Sequence, residues 1–217
     1  MSSISLQLNE VTGVEPLTLQ DMKNALKIDI TDTTDDSLIS GLITAARERA
    51  EVITGRALVT SIWTYYLDSF PFGLQTNTAP ARNTLNRFSE WWSNSQVIRL
   101  PKAPLQSVVS VEYYPSTEFG GYITLDPTLY IVDTSCNPGV IYPVQNYYWP
   151  WAWVVKNAVK ITFNAGYQDN IPEIIKVAMR LLVVDWWENR GDSTTTNNTA
   201  SILLKGYKSQ SVGYIDR

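Results

Sequence analysis

The sequence predicts an α+β chain, with helices gathered towards its two ends and short strands between them. Three observations carry that expectation. Apolar residues recur at helical spacing near the start of the chain and again from residue 172 to 190. Between these stretches lie β-branched and aromatic runs cut by Pro and Gly. A hydrophobic content of 44% in 217 residues supplies a core. The simplest packing joins two N-terminal helices and a late helix as a small bundle, with an inserted β-rich, sandwich-like domain and an extended C-terminal tail. In residue numbers, 1-56 and 167-192 make a discontinuous helical domain, 57-166 the inserted β-rich domain, and 193-217 a flexible tether and tail.

Thr18 is a good N-cap, and Leu19, Met22, Ala25 and Leu26 follow at helical spacing, so a short helix runs to about Lys27. A turn holding Asp29, Asp32 and Thr34 comes next. The second helix starts near Asp35, with Asp35 or Thr34 as cap and Asp36 favourable in the first turn. Its apolar face is Leu38, Ile39, Leu42, Ile43, Ala46, Ala50 and Ile53, while Arg47, Glu48, Arg49 and Glu51 lie largely elsewhere. Gly55 is the expected stop. "ALVTSIWTYYLDSF" reads as a strand, followed by short strands in "SQVIRL", "LQSVVSVEYY", "GYITLD", "LYIVDT" and "GVIYP". "NAVKITFNAGY" is the last, with Val159, Ile161 and Phe163 on one face. The late helix opens at Pro172 and Glu173, and its inward face is read as Ile174, Val177, Ala178, Leu181, Leu182, Asp185 and Trp186.

Composition narrows the chemistry. The net charge of −4 argues against a general nucleic-acid binder. With no histidine and a single cysteine, Cys136, there is no Ser-His-Asp or Cys-His nucleophile system, no HExxH zinc site and no cysteine-rich zinc site within the chain. No Walker A or GxGxxG loop occurs, and "LLKGYKS" has the wrong order for cradling phosphate. "DTTDDS" fails as an EF-hand, lacking the sixth-position Gly and twelfth-position Glu, and reads as a helix start. The expectation is a protein with no catalytic residues, cofactor or metal. The polar "MSSISLQLNEVTG" lacks the basic and apolar regions of a signal peptide, and "IIKVAMRLLVVDWW" is broken by Lys176, Arg180 and Asp185, so a soluble protein of a reducing compartment is expected.

Two short motifs lose force on that background. Arg190-Gly191-Asp192 matches an integrin-binding tripeptide, but at the end of a helix the cation suits the last turn and Gly191 the left-handed stop. Asn197-Asn198-Thr199 fits a glycosylation pattern that needs a secretion route. The aromatic residues divide. Trp63, Trp186 and Trp187 lie in regular elements, with Trp63 and Trp186 expected in the core. Trp91, Trp92, Trp149, Trp151 and Trp153 lie in loop-like segments, where they either anchor an interface or fold back over the β-domain. A carbohydrate-binding β-sandwich module using the loop tryptophans is the alternative function.

"LTLQDMKNALKIDITDTTDDSLISGLITAARERAEVITGRALVTSIWTYYLDSFP", then "LPKAPLQSVVSVEYY", "YIVDTSCNPGVIYP", Trp149-Pro150 and "VKITFNAGYQDNIPEIIKVAMRLLVVDWWENR", resemble tailed-bacteriophage head–tail connector proteins, also called adaptor or head-completion proteins. The resemblance covers most of residues 17 to 190. It implies a structural role in the virion, at the head–tail junction, after assembly in the host cytoplasm. It implies a homo-oligomeric ring, 12-fold on the portal protein, that links the portal to a stopper, tail-terminator or nozzle protein. DNA would pass through the central channel without specific binding, past a wall richer in acids than in bases, and no membrane is involved. Residues 73 to 96 are longer than the family's usual turn, and residues 145 to 153 are unusually aromatic.

In the tail, Ile202, Leu203, Leu204, Lys205, Tyr207, Lys208, Tyr214 and Ile215 are the candidate portal-binding residues. The other reading is a strap packed on its own domain. Docking predicts that a chain ending at Asn198 keeps its melting temperature. Trp91, Trp92, Trp149 and Trp151 are the candidates for the tail side or a neighbouring subunit.

Overall fold

Thr18 closes a capping box on the first helix in the computed structural model, which describes residues 5–71, 96–115, 120–153, 155–168, 170–189 and 198–209. Its hydroxyl accepts the Asp21 N–H at 3.1 Å, and the Asp21 carboxylate accepts the Thr18 N–H at 3.3 Å. Helix α1 spans Leu19–Leu26 and stops at Lys27 in the left-handed conformation. Helix α2 spans Asp36–Thr54, and Gly55 ends it with φ 68°. Asp35 occupies the cap position, yet neither expected side chain caps the helix: Asp35 makes no side-chain cap bond, and Thr34 instead donates to Asp32 at 2.7 Å.

These helices belong to one of two compact units, comprising Val11–Ser61, Pro101–Pro104 and Ala165–Arg217. Helix α3 (Glu173–Asn189) and helix α4 (Asn198–Lys205) complete its regular elements among the described residues. Their shared core includes Met22, Ile39, Ile43, Ile175, Met179 and Leu204. Two faces differ from the sequence reading. On α2, Leu38 is exposed and Arg47 is buried. On α3 the core stripe is Ile175, Ala178, Met179, Leu182 and Val183, so Ile174 and Val177 turn outward. Apolar residues line both sides of this helix, and periodicity alone does not say which side faces in.

The other unit comprises Met1–Glu10, Ile62–Leu100 and Leu105–Asn164. Its strands are β1 (Ser5–Val11), β2 (Ser61–Leu67), β3 (Ile98–Arg99), β4 (Leu105–Tyr113), β5 (Ile123–Thr124), β6 (Tyr130–Asp133), β7 (Val140–Pro143) and β8 (Val159–Ala165), with a few end residues assigned to the helical unit. The order is β1-β2-β8-β4-β5 in a five-stranded sheet and β3-β7-β6 in a three-stranded one. Val159, Ile161 and Phe163 alternate inward on β8, as their spacing requires. β7 pairs antiparallel with both β3 and β6. Strand β1 falls in a segment that reads as merely polar, and six of its seven residues are exposed. It pairs with β2, and Asn9 donates to the Thr64 hydroxyl at 2.7 Å.

Candidate functional site

The acidic turn carries its own cation. Asp29 accepts the Thr31 N–H at 2.8 Å and Asp32 accepts the Thr34 N–H at 3.0 Å. These bonds, the Thr31 backbone first for Asp29 and the Thr34 hydroxyl first for Asp32, hold both carboxyls below the usual carboxylate range. The buried Lys23 ammonium reaches into the turn, donating to the Asp32 carbonyl at 2.7 Å and the Ile30 carbonyl at 3.3 Å, and pairs with the Asp36 carboxylate. A metal ion would find its place taken by Nζ. Among the described residues no group of three or more His, Cys, Asp or Glu could hold a metal. Cys136 is exposed and donates to Asp133 at 3.2 Å, a bond that pushes its thiol pKa up, away from nucleophilic character.

A second charged group also proves structural. Arg47 donates from Nε to both Glu15 oxygens at 3.1 Å and pairs with Glu51 at 3.3 Å. Burial opposes its charge, and Glu15 and Glu51 more than offset that opposition. The other Glu51 oxygen accepts the Leu58 N–H at 2.9 Å, fixing the chain as it leaves α2.

The Thr54-Gly55-Arg56 sequence builds a junction with the end of α4. Arg56 donates from Nε to the Tyr207 carbonyl at 2.6 Å and from Nη1 to the Tyr167 hydroxyl at 3.0 Å, and its guanidinium lies 5.9 Å from the Tyr167 ring centre. The Ser209 N–H donates to the Thr54 carbonyl at 2.7 Å. Gly166, just before Tyr167, has φ 133°, and a Cβ there would lie 2.3 Å from the Val59 carbonyl oxygen. Only glycine fits.

This junction corrects the reading of the tail. Residues 198–205, read as the end of the tether and the start of the docking tail, are helix. Leu204, a candidate docking residue, is 0% exposed within its own helical core, and Ala200 lies beside it in the same cluster. Leu203 and Tyr207 are partly buried against that core. Ile202, at 59% exposure, and the exposed Lys205 and Lys208 remain at the surface. The spacing of Ala200, Leu203, Leu204 and Tyr207 is the helical signal that a linear reading of the segment passes over. Tyr214 and Ile215 lie outside the described residues, as does Gly191.

The aromatic candidates separate just as sharply. Trp149 is 5% exposed, stacks on Phe70 at 4.9 Å and donates from Nε1 to the Gln96 carbonyl at 2.7 Å. Phe70 meets Tyr113 of β4, and Trp149 approaches Tyr130 of β6, so this cluster joins the two sheets of its unit. Trp149 has folded back and is no surface ligand. Trp151 is 58% exposed, and Trp153 is exposed beside it. They flank the buried Ala152, which bridges Pro115, and so point the other way. Trp63 is buried, while Trp186 and Trp187 are partly buried on the helical core. Trp91 and Trp92 lie outside the described residues. Among those described, no helix is long and apolar enough to cross a membrane.

The charged and aromatic groups described above hold the fold together, through Lys23, Arg47, Arg56 and Trp149. The sequence model described as "Phage gp6-like head-tail connector protein" matches residues 16–111. No curated protein sequence matches the chain. Among solved structures, a chain in the virion of a native gene transfer agent (GTA) particle is 18% identical with TM-score 0.68, over 94% of this chain and 96% of that one. A chain in the neck of an empty GTA particle, computed with C6 symmetry, is 17% identical with TM-score 0.66, over 95% and 97%. One in the neck of a native GTA particle, computed with C12 symmetry, is 20% identical with TM-score 0.59, over 95% and 97%. At these identities the likeness is one of fold. Residues 16–111 are thus similar in sequence to the phage head–tail connector proteins, and the fold of the chain is similar to that of chains in gene transfer agent particles.

Proposed function

We propose that this chain is a structural head–tail connector that forms a ring below the portal, joins it to the tail or a stopper, and lets DNA pass through the centre. The observation that carries the reading is the match over residues 16–111, which runs through α1, α2, β2 and most of β4. A ring needs repeated head-to-tail contacts between copies, with two different surfaces on each. Symmetric necks in the structurally similar GTA particles fit that requirement. The excess of acids over bases, 21 against 17, suits a channel wall that must not retain DNA.

The portal-facing residues in this reading are Ile202 and Lys205 on the outer face of α4 and Lys208 just after it, with Tyr214 and Ile215 as further candidates. Leu204 holds α4 to the bundle and does not itself insert. Trp151 faces the tail side or a neighbouring copy. Carbohydrate binding loses Trp149 to the interior and has no other observation in its favour. The test is to image purified portals after incubation with the chain. An added ring supports the proposal, and portals left bare refute it.

A further inference from the structure

We propose that β1 is an intersubunit strand, whose free edge pairs with the edge of β6 on a neighbouring copy of this chain; the proposal rests on the ring reading above. Among the described residues β1 pairs only with β2, so its other edge offers a row of unpaired N–H and C=O groups. Proteins usually guard such an edge with Lys, Pro, a bulge or a very short strand. The seven residues of β1, SLQLNEV, contain neither Lys nor Pro and only one charge, Glu10. Asn9 bonds Thr64 on one face of the sheet, so alternation puts Leu8 on the other, the side on which β2 carries the buried Trp63 and Tyr65. Leu8 is nevertheless 45% exposed. The apolar face of the sheet therefore continues past its cover, out to the edge.

Charge and symmetry choose the occupant. The strand itself holds one acid, Glu10, and no Lys or Arg, so it offers a nucleic acid no counter-charge. A second copy needs none. In a ring every copy gives one edge and accepts another, and the accepting edge must differ from β1. The remaining free edges among the described residues are β3, β5 and β6, and β6 is the longest at four residues against two. It displays Ile131 at 41% exposure, and its one charge, Asp133, is occupied by Ser135 at 2.6 Å. Leu8 of one copy against Ile131 of the next covers both.

The full-length chain is tested as wild type, Leu8→Lys, Ile131→Glu and the double variant, by sedimentation across concentration and by ring formation on purified portals. Both positions are exposed, so melting temperatures should stay together. Each single variant is expected to lower assembly at least tenfold, and the double variant to restore it through a cross-strand ion pair. Amide exchange in Ser5–Val11 should slow on assembly. Single variants that assemble like wild type, or a double variant that fails to recover, overturn the assignment while leaving the connector reading intact. If wild type adds no ring to portals, the connector reading fails by itself. Self-association in solution then decides β1: rescue by the double variant upholds the contact, and a chain that is monomeric at every concentration overturns it.

Discussion

Replacing Leu204 with Ala asks whether α4 belongs to the fold or to a partner. The side chain is 0% exposed and packs in the cluster that holds Met22, Ile39, Ile175 and Met179. The substitution removes three buried carbons. At roughly 0.8 kcal/mol per buried CH₂, the transfer loss is about 2.4 kcal/mol. The residual cavity raises the total to roughly 3–4 kcal/mol, within the usual range for a buried Leu→Ala change. For a chain of this size each kcal/mol lowers the melting temperature by about 2–4 °C, so a fall of roughly 6–16 °C is expected. Ile202→Ala, two residues away but 59% exposed, should change stability by less than about 0.5 kcal/mol. Calorimetry or urea titration of both variants reads the difference. The same reasoning reverses the expectation that a chain ending at Asn198 keeps its melting temperature, because that truncation deletes Ala200 and Leu204 from the core. Leu204→Ala melting like wild type would refute the packing of α4, all the more if Ile202→Ala melted early.

Gly166→Ala forces a left-handed φ on a side chain that meets the Val59 carbonyl, and should cost more than about 2 kcal/mol by urea titration; a neutral result would contradict the observed backbone. Trp149→Ala should destabilise by about 3–5 kcal/mol and Trp151→Ala by less than about 0.5, with the reverse order assigning the anchor wrongly. Asp29 and Asp32 have lowered folded-state pKa values, so the stability they contribute is fully present above the unfolded carboxylate value near about 4 and is lost as pH falls through the folded values. Melting curves from pH 5 to 2 should therefore fall less steeply for an Asp29→Asn/Asp32→Asn variant than for wild type, and parallel curves would remove these carboxylates from the acid response.

The elements legible in the sequence are those whose local chemistry and tertiary role agree. Thr18 spells an N-cap, Gly55 a left-handed stop, and Val159, Ile161 and Phe163 an alternating buried face, and each is found so. Where one pattern serves two environments, the sequence is mute. α3 is apolar on both sides, so Ile174 and Val177 read inward although Ile175 and Met179 take the core. Arg47 reads as a solvated charge because its partner Glu15 lies 32 positions away. β1 is exposed on both faces and lacks the contrast that marks a half-buried strand. Trp149 sits in a proline-punctuated, loop-like stretch, and its interior position depends on partners far away in sequence, Phe70 and Gln96. At the candidate docking surface the residue types were legible, while the division between Leu204, which packs, and Ile202, which does not, depends on where α4 lands.

The central claim is that this chain adds a ring to a portal. Electron microscopy of purified portals, imaged alone and after incubation with the full chain, tests it most directly. The account predicts an added ring of density on the tail-facing side of the portal, in register with the portal's symmetry. Portals that remain bare at saturating protein, with the chain folded and soluble in the same sample, would contradict it.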